Sequence, residues 1–291
     1  MSRAVVPVLA AALTVLACSE DPVQPDVTRP LFQAGEGRTE CIGVLTGSAH
    51  NVVVPPGVHC EMVGAQVTGN VLVKEGASLR ARASMIGGNI HSVDSRFVCL
   101  VNATQVEGNF DVNGGDPGTT SGHDIGTRVG GFTRIERNAG HSFIDAASVG
   151  GNIDVSNNTG SIEVEHNTVG GNVDLRQNTV PPTFTGDRTA ACGIPTQLVL
   201  NIGALSVFTN QVPTGNLDLF NNVISTGSSM FIVQNNVENV IQVFRNTGPG
   251  PKTVTLNVAG QRIQCEHNDP PFVGFPNVAP EQQGQCGPPT I

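Results

Sequence analysis

Apolar and other residues alternate in short bursts along most of this chain, and the bursts recur. Val71/Val73, Phe110/Val112, Ile153/Val155, Val173/Leu175, Leu217/Leu219 and Ile241/Val243 each bracket a single residue. Period two is the signature of a half-buried strand, so these pairs are expected to point inward and the bracketed residue outward. A second alternating run comes later in each repeat, at Leu79/Ala81, Cys99/Val101, Ile162/Val164 and Leu205/Val207. A third apolar column stands just before a glycine-rich corner, at Ile86, Val106, Val129, Val149 and Val169.

The repeat is clearest at Ser148–Asn158 and Thr168–Asn178, where the second copy follows the first by 20 residues. Asn152 matches Asn172, Asp154 matches Asp174, and Asn158 matches Asn178. With Asn152 as marker, the equivalent positions read Asn51, Asn70, Asn89, Asn109, Phe132, Asn152, Asn172, Asn216, Val240 and Gln261. The long step from Asn172 to Asn216 reads as two coils, with a degenerate one near Leu198–Leu200. Residues 40–268 then hold about eleven coils, a body roughly 50 Å long at about 4.8 Å per coil. A fixed period of this length means a stacked repeat array, because one repeat cannot bury its own apolar face. The expected fold is all-β: a single-stranded parallel β-helix, right-handed, with about twenty residues per coil. Glycine pairs at the corner are expected to supply positive φ. Asn70, Asn89, Asn109, Asn152, Asn172 and Asn216 are expected to form a hydrogen-bonded ladder along the stack.

Two stretches break the period, a Gly-rich one at 113–128 and a Pro-rich one at 180–196. Both are expected to leave the stack as loops. Residues 1–17 place Arg3 before an apolar run, which reads as a secretory signal too short to span a membrane comfortably. Its end, Val15-Leu-Ala-Cys18, resembles a bacterial lipobox, which implies lipidation of Cys18 and a membrane anchor. Ser19 after the cysteine suits an outer-membrane or cell-surface lipoprotein, with simple secretion as the alternative. Residues 18–39 are polar and Pro-rich, as a tether should be, and 269–291 form a Pro/Gly-rich capping tail.

Export gives the other six cysteines a meaning: an even set implies disulfides. Cys41 and Cys60 are 19 apart and Cys265 and Cys286 are 21 apart, so each pair stacks on adjacent coils. Stacked strands lie about 4.8 Å apart, within reach of a disulfide. Cys99 and Cys192 are several repeats apart and pair only if a loop folds back. Cys-x-x-Cys spacing, the mark of a metal site, is absent. Fifteen Lys+Arg against 24 Asp+Glu, without a basic run, argue against nucleic acid. The lack of Trp and Tyr argues against large aromatic sugar platforms and leaves phenylalanine for that role.

Val106-Glu-Gly-Asn109, Val149-Gly-Gly-Asn152 and the terminal Gly284-Gln-Cys286 carry a resemblance. Over residues 41–286 the chain resembles right-handed parallel β-helix proteins, in particular largely uncharacterised exported bacterial proteins with Val-x-Gly-Asn repeats. The resemblance implies architecture and little about activity. Among parallel β-helix enzymes, polysaccharide lyases and hydrolases carry acidic residues on an outward face, and lyases add Ca²⁺ and an arginine. Here the outward position after the marker reads Asp111, Arg134, Asp154, Asp174 and Asp218. Stacked carboxylates repel unless a cation intervenes. Arg134 is therefore expected to pair with Asp111 and Asp154, or calcium to sit near Asp154 and Asp174. His123, beside Asp124, is read as an exposed loop histidine, and so are His141 and His166. No Gly-x-Ser-x-Gly, phosphate loop or His-Glu-x-x-His is present.

Two functional readings follow. One is a non-enzymatic exported β-helix with a structural, adhesive or glycan-binding role toward cell-envelope or extracellular polysaccharide. The other is a carbohydrate-active enzyme working on an anionic polysaccharide at Asp111, Arg134, Asp154 and Asp174.

Overall fold

A computed structural model describes residues 37–116, 120–123, 126–182, 192, 204–274 and 276–286. The signal segment, Cys18 and nearly all of the tether lie outside these residues, as does Leu198–Leu200. The described chain is an all-β parallel solenoid. Most turns give one strand to each of three long sheets, Thr179–Val180 and Val223–Ile224 add a short two-stranded one, and every interstrand pairing among the described residues runs parallel. One turn holds Val71–Val73, Ser78–Arg82 and Met85–Ile86, paired with Ile90–Ser95, Phe97–Val101 and Gln105–Val106 of the next. The first sheet has twelve strands and the other two have ten each, or about eleven turns spaced about 20 residues apart.

The three apolar columns meet in one interior. Val71, Val73, Phe110, Val112, Ile153, Val173, Leu175, Leu217, Leu219, Ile241 and Val243 are all at 0% exposure, with the Ile86–Val169 column beside them. A fully buried side chain of this size contributes about 1.5–3 kcal/mol, and every turn supplies five or so. At the C-terminal end an inward place is taken by Lys252, in register with Met230. Its ammonium donates to the carbonyls of Gly248, Gly250 and Asp269 and closes the interior with a polar plug.

Several expectations need correction. The step from Asn172 to Asn216 is one turn, because Val173 pairs directly with Leu217 and Ile162 with Leu205. The terminal strands Arg38–Glu40 and Glu281–Gly284 make up the turn count, and most of 180–196 lies outside the described residues. The marker slips once: Val240 pairs with Arg262, not Gln261. Residues 113–128 are not simply an extruded loop, since Thr120–His123 is a strand of the second sheet. Cys99 and Val101 face outward. Val98 and Leu100 take the inward places, in register with Leu79 and Ala81.

The glycine corners differ from expectation in a useful way. Gly150 and Gly170 do not have positive φ; a Cβ on either would lie 2.2 or 2.3 Å from a carbonyl oxygen of the preceding turn. Glycine stands there because successive turns touch. The left-handed places are instead held by other residues, Gln177, Asn221, Arg245 and His267 along one edge and His166, Thr209, Gln234 and Leu256 along another.

Each of those residues is followed by a buried asparagine. Asn138, Asn158, Asn178, Asn222, Asn246 and Asn268 form one interior ladder, closed by Gln285. Asn167, Asn210, Asn235, Asn257 and Asn277 form a second. Between the ladder ends each amide donates to a main-chain carbonyl of the preceding turn and to the side-chain oxygen of the next, as Asn222 does with Leu175 and Asn246. At the ends, Asn138 donates to the carbonyl of His141 and to Ser142 Oγ, and Asn277 to the carbonyl of Val254. In earlier turns Ser84 and Thr104 hold the equivalent place, with hydroxyls bonded to main-chain carbonyls. These satisfied buried amides offset the cost, about 1–2 kcal/mol each, of a left-handed non-glycine residue.

Three disulfides join Cys41–Cys60, Cys99–Cys192 and Cys265–Cys286, with Cα separations of 5.5, 5.4 and 5.2 Å. The first and last staple the terminal turns. The middle one ties Cys192 onto the outer face of the second sheet. There Cys99, Val101, Phe143 and Cys192 make a small apolar cluster of their own.

Candidate functional site

The exposed asparagine ladder is real but works differently from a chain of side-chain contacts. Asn70, Asn89, Asn109, Asn172 and Asn216 each offer their main-chain N–H to the asparagine one turn earlier, at 2.8–3.0 Å. Phe132 and Val240 fit because only their N–H is needed, toward Asn109 and Asn216. These asparagines, Asn152 among them, are scaffold.

Two residues past the asparagine ladder, the first sheet brings Asp111, Arg134, Asp154, Asp174 and Asp218 into a single outward column. Its members are unequal. Arg134 grips Asp111 with two hydrogen bonds, Nε–Oδ1 at 2.8 Å and Nη2–Oδ2 at 2.7 Å. That contact raises the arginine's pKa, and His91 adds a contact to Asp111 from the other side at 3.2 Å. Arg134 therefore does not serve Asp154. Arg176, from the next turn and two places along its strand, does, with Nη2–Oδ2 at 2.7 Å.

Asp174 and Asp218 have no such partner. Burial raises the pKa of Asp174, with Asp154 adding to the shift and Arg176 opposing it. Asp218 is 9% exposed, and its Oδ1 is buried without a hydrogen-bond partner. Burial, then the neighbouring Asp174, push its carboxyl up to about 7. Among the described residues no group of three or more His, Cys, Asp or Glu is arranged to hold a metal ion.

No family model, curated protein or solved structure matches this chain. The site therefore has to be read from its own chemistry.

Beside the acidic column runs a second outward column, Arg176, Phe220, Phe244 and Glu266. The two phenylalanine rings stack, with centroids 5.5 Å apart and planes 3° from parallel. Next to them the left-handed Asn221, Arg245 and His267 point out of the turns. The two rows enclose an open depression of about 420 Å³. The sequence reading missed this shelf. Its signal was present, since Asp174-Leu-Arg176, Asp218-Leu-Phe220 and Gln242-Val-Phe244 repeat in step. A depression of about 380 Å³ on the third sheet, around Gln66, Met85, Gln105 and Glu107, has one charged residue and no aromatic ring.

The histidines fall elsewhere. His141 is buried, 3% exposed, with Nε2 at 3.4 Å from Oε1 of the equally buried Glu163 on the second sheet. It is not the exposed residue expected. His166 is exposed and contacts Asp145 at 3.0 Å. His123 belongs to a strand, its main chain in register with Leu100 and Ile144.

Proposed function

We propose that this protein is an exported, non-catalytic β-solenoid that binds an extended glycan along the outer face of its first sheet. One observation carries the reading. A row of carboxylates, a stacked phenylalanine pair and a row of polar turn residues run side by side along the solenoid axis, over several consecutive turns. Such a surface offers hydrogen-bonding groups and an apolar shelf at a constant spacing, which suits a polymer that also repeats. Its openness suits binding rather than catalysis, because nothing there encloses a reacting bond or excludes water.

Three disulfides fit an oxidising compartment outside the cytoplasm. In this reading Cys18 carries the lipid anchor, residues up to 39 are the tether, and the membrane is the second partner. Mass spectrometry of the mature N-terminus tests the anchor; a chain that keeps residues 1–17 or an unmodified Cys18 contradicts it.

The second reading, a carbohydrate-active enzyme, draws on one specific observation: the raised carboxyl of Asp218 beside Asp174 supplies a proton donor near neutral pH. A panel of neutral, amino-substituted and anionic polysaccharides separates the two. Retention on a glycan, weakened in F220A/F244A and without new reducing ends, is the expected result. New reducing ends that disappear in D218N overturn the non-catalytic reading.

A further inference from the structure

The charges of the outward aspartate column are already partly spent, and what remains in that column is acidic, with Arg245 and His267 standing on the far side of the phenylalanine shelf. Asp111 and Arg134 satisfy each other, and Arg176 holds one oxygen of Asp154, whose Oδ1 stays buried without a hydrogen-bond partner. Asp174 and Asp218 sit on adjacent strands, about 4.8 Å apart in the stack, with neither hydrogen-bonded to Arg176, the arginine whose charge reaches both. Asp218 is nine-tenths buried and keeps one oxygen without any partner. The next place in the column is Gln242, which brings no charge. On the shelf side, Arg176 is committed to Asp154. The phenylalanine column lies about 7 Å away, two residues along the strand.

A ligand that answers this arrangement brings a compact positive charge with several N–H donors. An ammonium group has three donors and no acceptor, so it can bond one carboxylate of the pair and lower the repulsion of both. A carboxylated or sulfated polymer does the opposite, adding negative charge beside two carboxylates. The attached ring has its own place. A hexose whose amine lies over the acidic pair extends toward the edges of Phe220 and Phe244.

We infer that this face selects a linear glycan bearing free primary amines, with an ammonium group at Asp174 and Asp218 and its sugar rings on the Phe220–Phe244 shelf. The inference rests on the glycan-binding reading and narrows it, away from anionic polysaccharides. Binding transfers no atoms other than protons: an ammonium reaching the pair allows Asp218 to release its proton to solvent or to a neutral amine.

The test compares four probes by calorimetry at fixed ionic strength: a glucosamine hexamer with all amines free, the same hexamer fully N-acetylated, an oligogalacturonate of equal length, and polylysine. The expected result is binding of the free-amine hexamer at least tenfold tighter than its acetylated form, with oligogalacturonate not bound. In D174N/D218N that preference should vanish while residual binding of the acetylated hexamer persists. Single D218N serves as the second variant should the double one unfold, and its melting curve checks the fold. In F220A/F244A both hexamers should weaken. Equal affinity for the two hexamers, or a preference for oligogalacturonate, overturns the amine inference and leaves the glycan reading standing. Polylysine bound as tightly as the free-amine hexamer overturns it in favour of a cationic peptide. Failure of every glycan to bind overturns the reading beneath it.

Discussion

Asp174 and Asp218 lie 44 residues apart in the chain and directly opposite each other in the first sheet. Their strands pair in register, so two carboxylates stand one turn apart with only Arg176, already bonded to Asp154, acting on both. Stability should report the conflict. The folded pKa of Asp218, about 7, stands above the ordinary carboxylate value of 3.8. The folded chain then holds more protons than the unfolded chain between those values, so this group's contribution is complete below about pH 4 and is lost as pH rises through 7. D218N removes the titration. Its melting temperature should match that of the wild type near pH 4 and exceed it at pH 8. A wild type that keeps its relative stability up to pH 8 contradicts the assignment.

The interior ladders should matter more than the exposed one. In N222L, the main-chain and side-chain N–H groups of Asn178 lose their acceptor inside the protein. Each stranded donor costs about 1–3 kcal/mol, so the variant should lose about 3 kcal/mol or more. In N172A the main-chain N–H of Asn216 can turn to water, and the loss should be about 1 kcal/mol. Denaturant unfolding of the two variants orders them, and a reversed order refutes the distinction.

How legible this was depended on whether one local rule decided the answer. The twenty-residue period and the acidic column follow from alternation alone, so both could be read directly. Phe97-Val-Cys-Leu-Val101 is apolar at every position, so alternation permits either parity. Register with Leu79 and Ala81, together with Cys192 bonded to the outward Cys99, chose the one not expected. The 44-residue step resembled two turns because length was the only guide. Insertions are poorly constrained by length, since loop closure becomes only slowly more costly. The buried ladders were hidden because asparagine in an interior contradicts the usual pattern until each amide is given its two partners.

The terminal staple should hold the last turn in place. Cys265–Cys286 closes a loop of 21 residues. Breaking it in C265S/C286S should cost about 3 kcal/mol on the chain-entropy account. Hydrogen exchange should speed up first in Glu281–Gly284, which adds to the first sheet only through Arg262–Glu266. Uniform acceleration along the solenoid instead contradicts a local cap.

The Arg176–Asp154 bridge should contribute little to stability, since both side chains are partly exposed, at 47% and 27%. A double-mutant cycle with R176A and D154A should give a coupling of about 1 kcal/mol or less. A larger coupling means that the pair is structural rather than part of a binding surface.

The most direct test of the account is where a glycan lands. Hydrogen-exchange footprinting with a partially N-acetylated glucosamine hexamer should show protection concentrated in Val173–Arg176, Leu217–Phe220 and Val240–Phe244. Protection confined to the third sheet around Gln66, Met85 and Gln105, or no protection at hexamer concentrations that saturate binding, contradicts it.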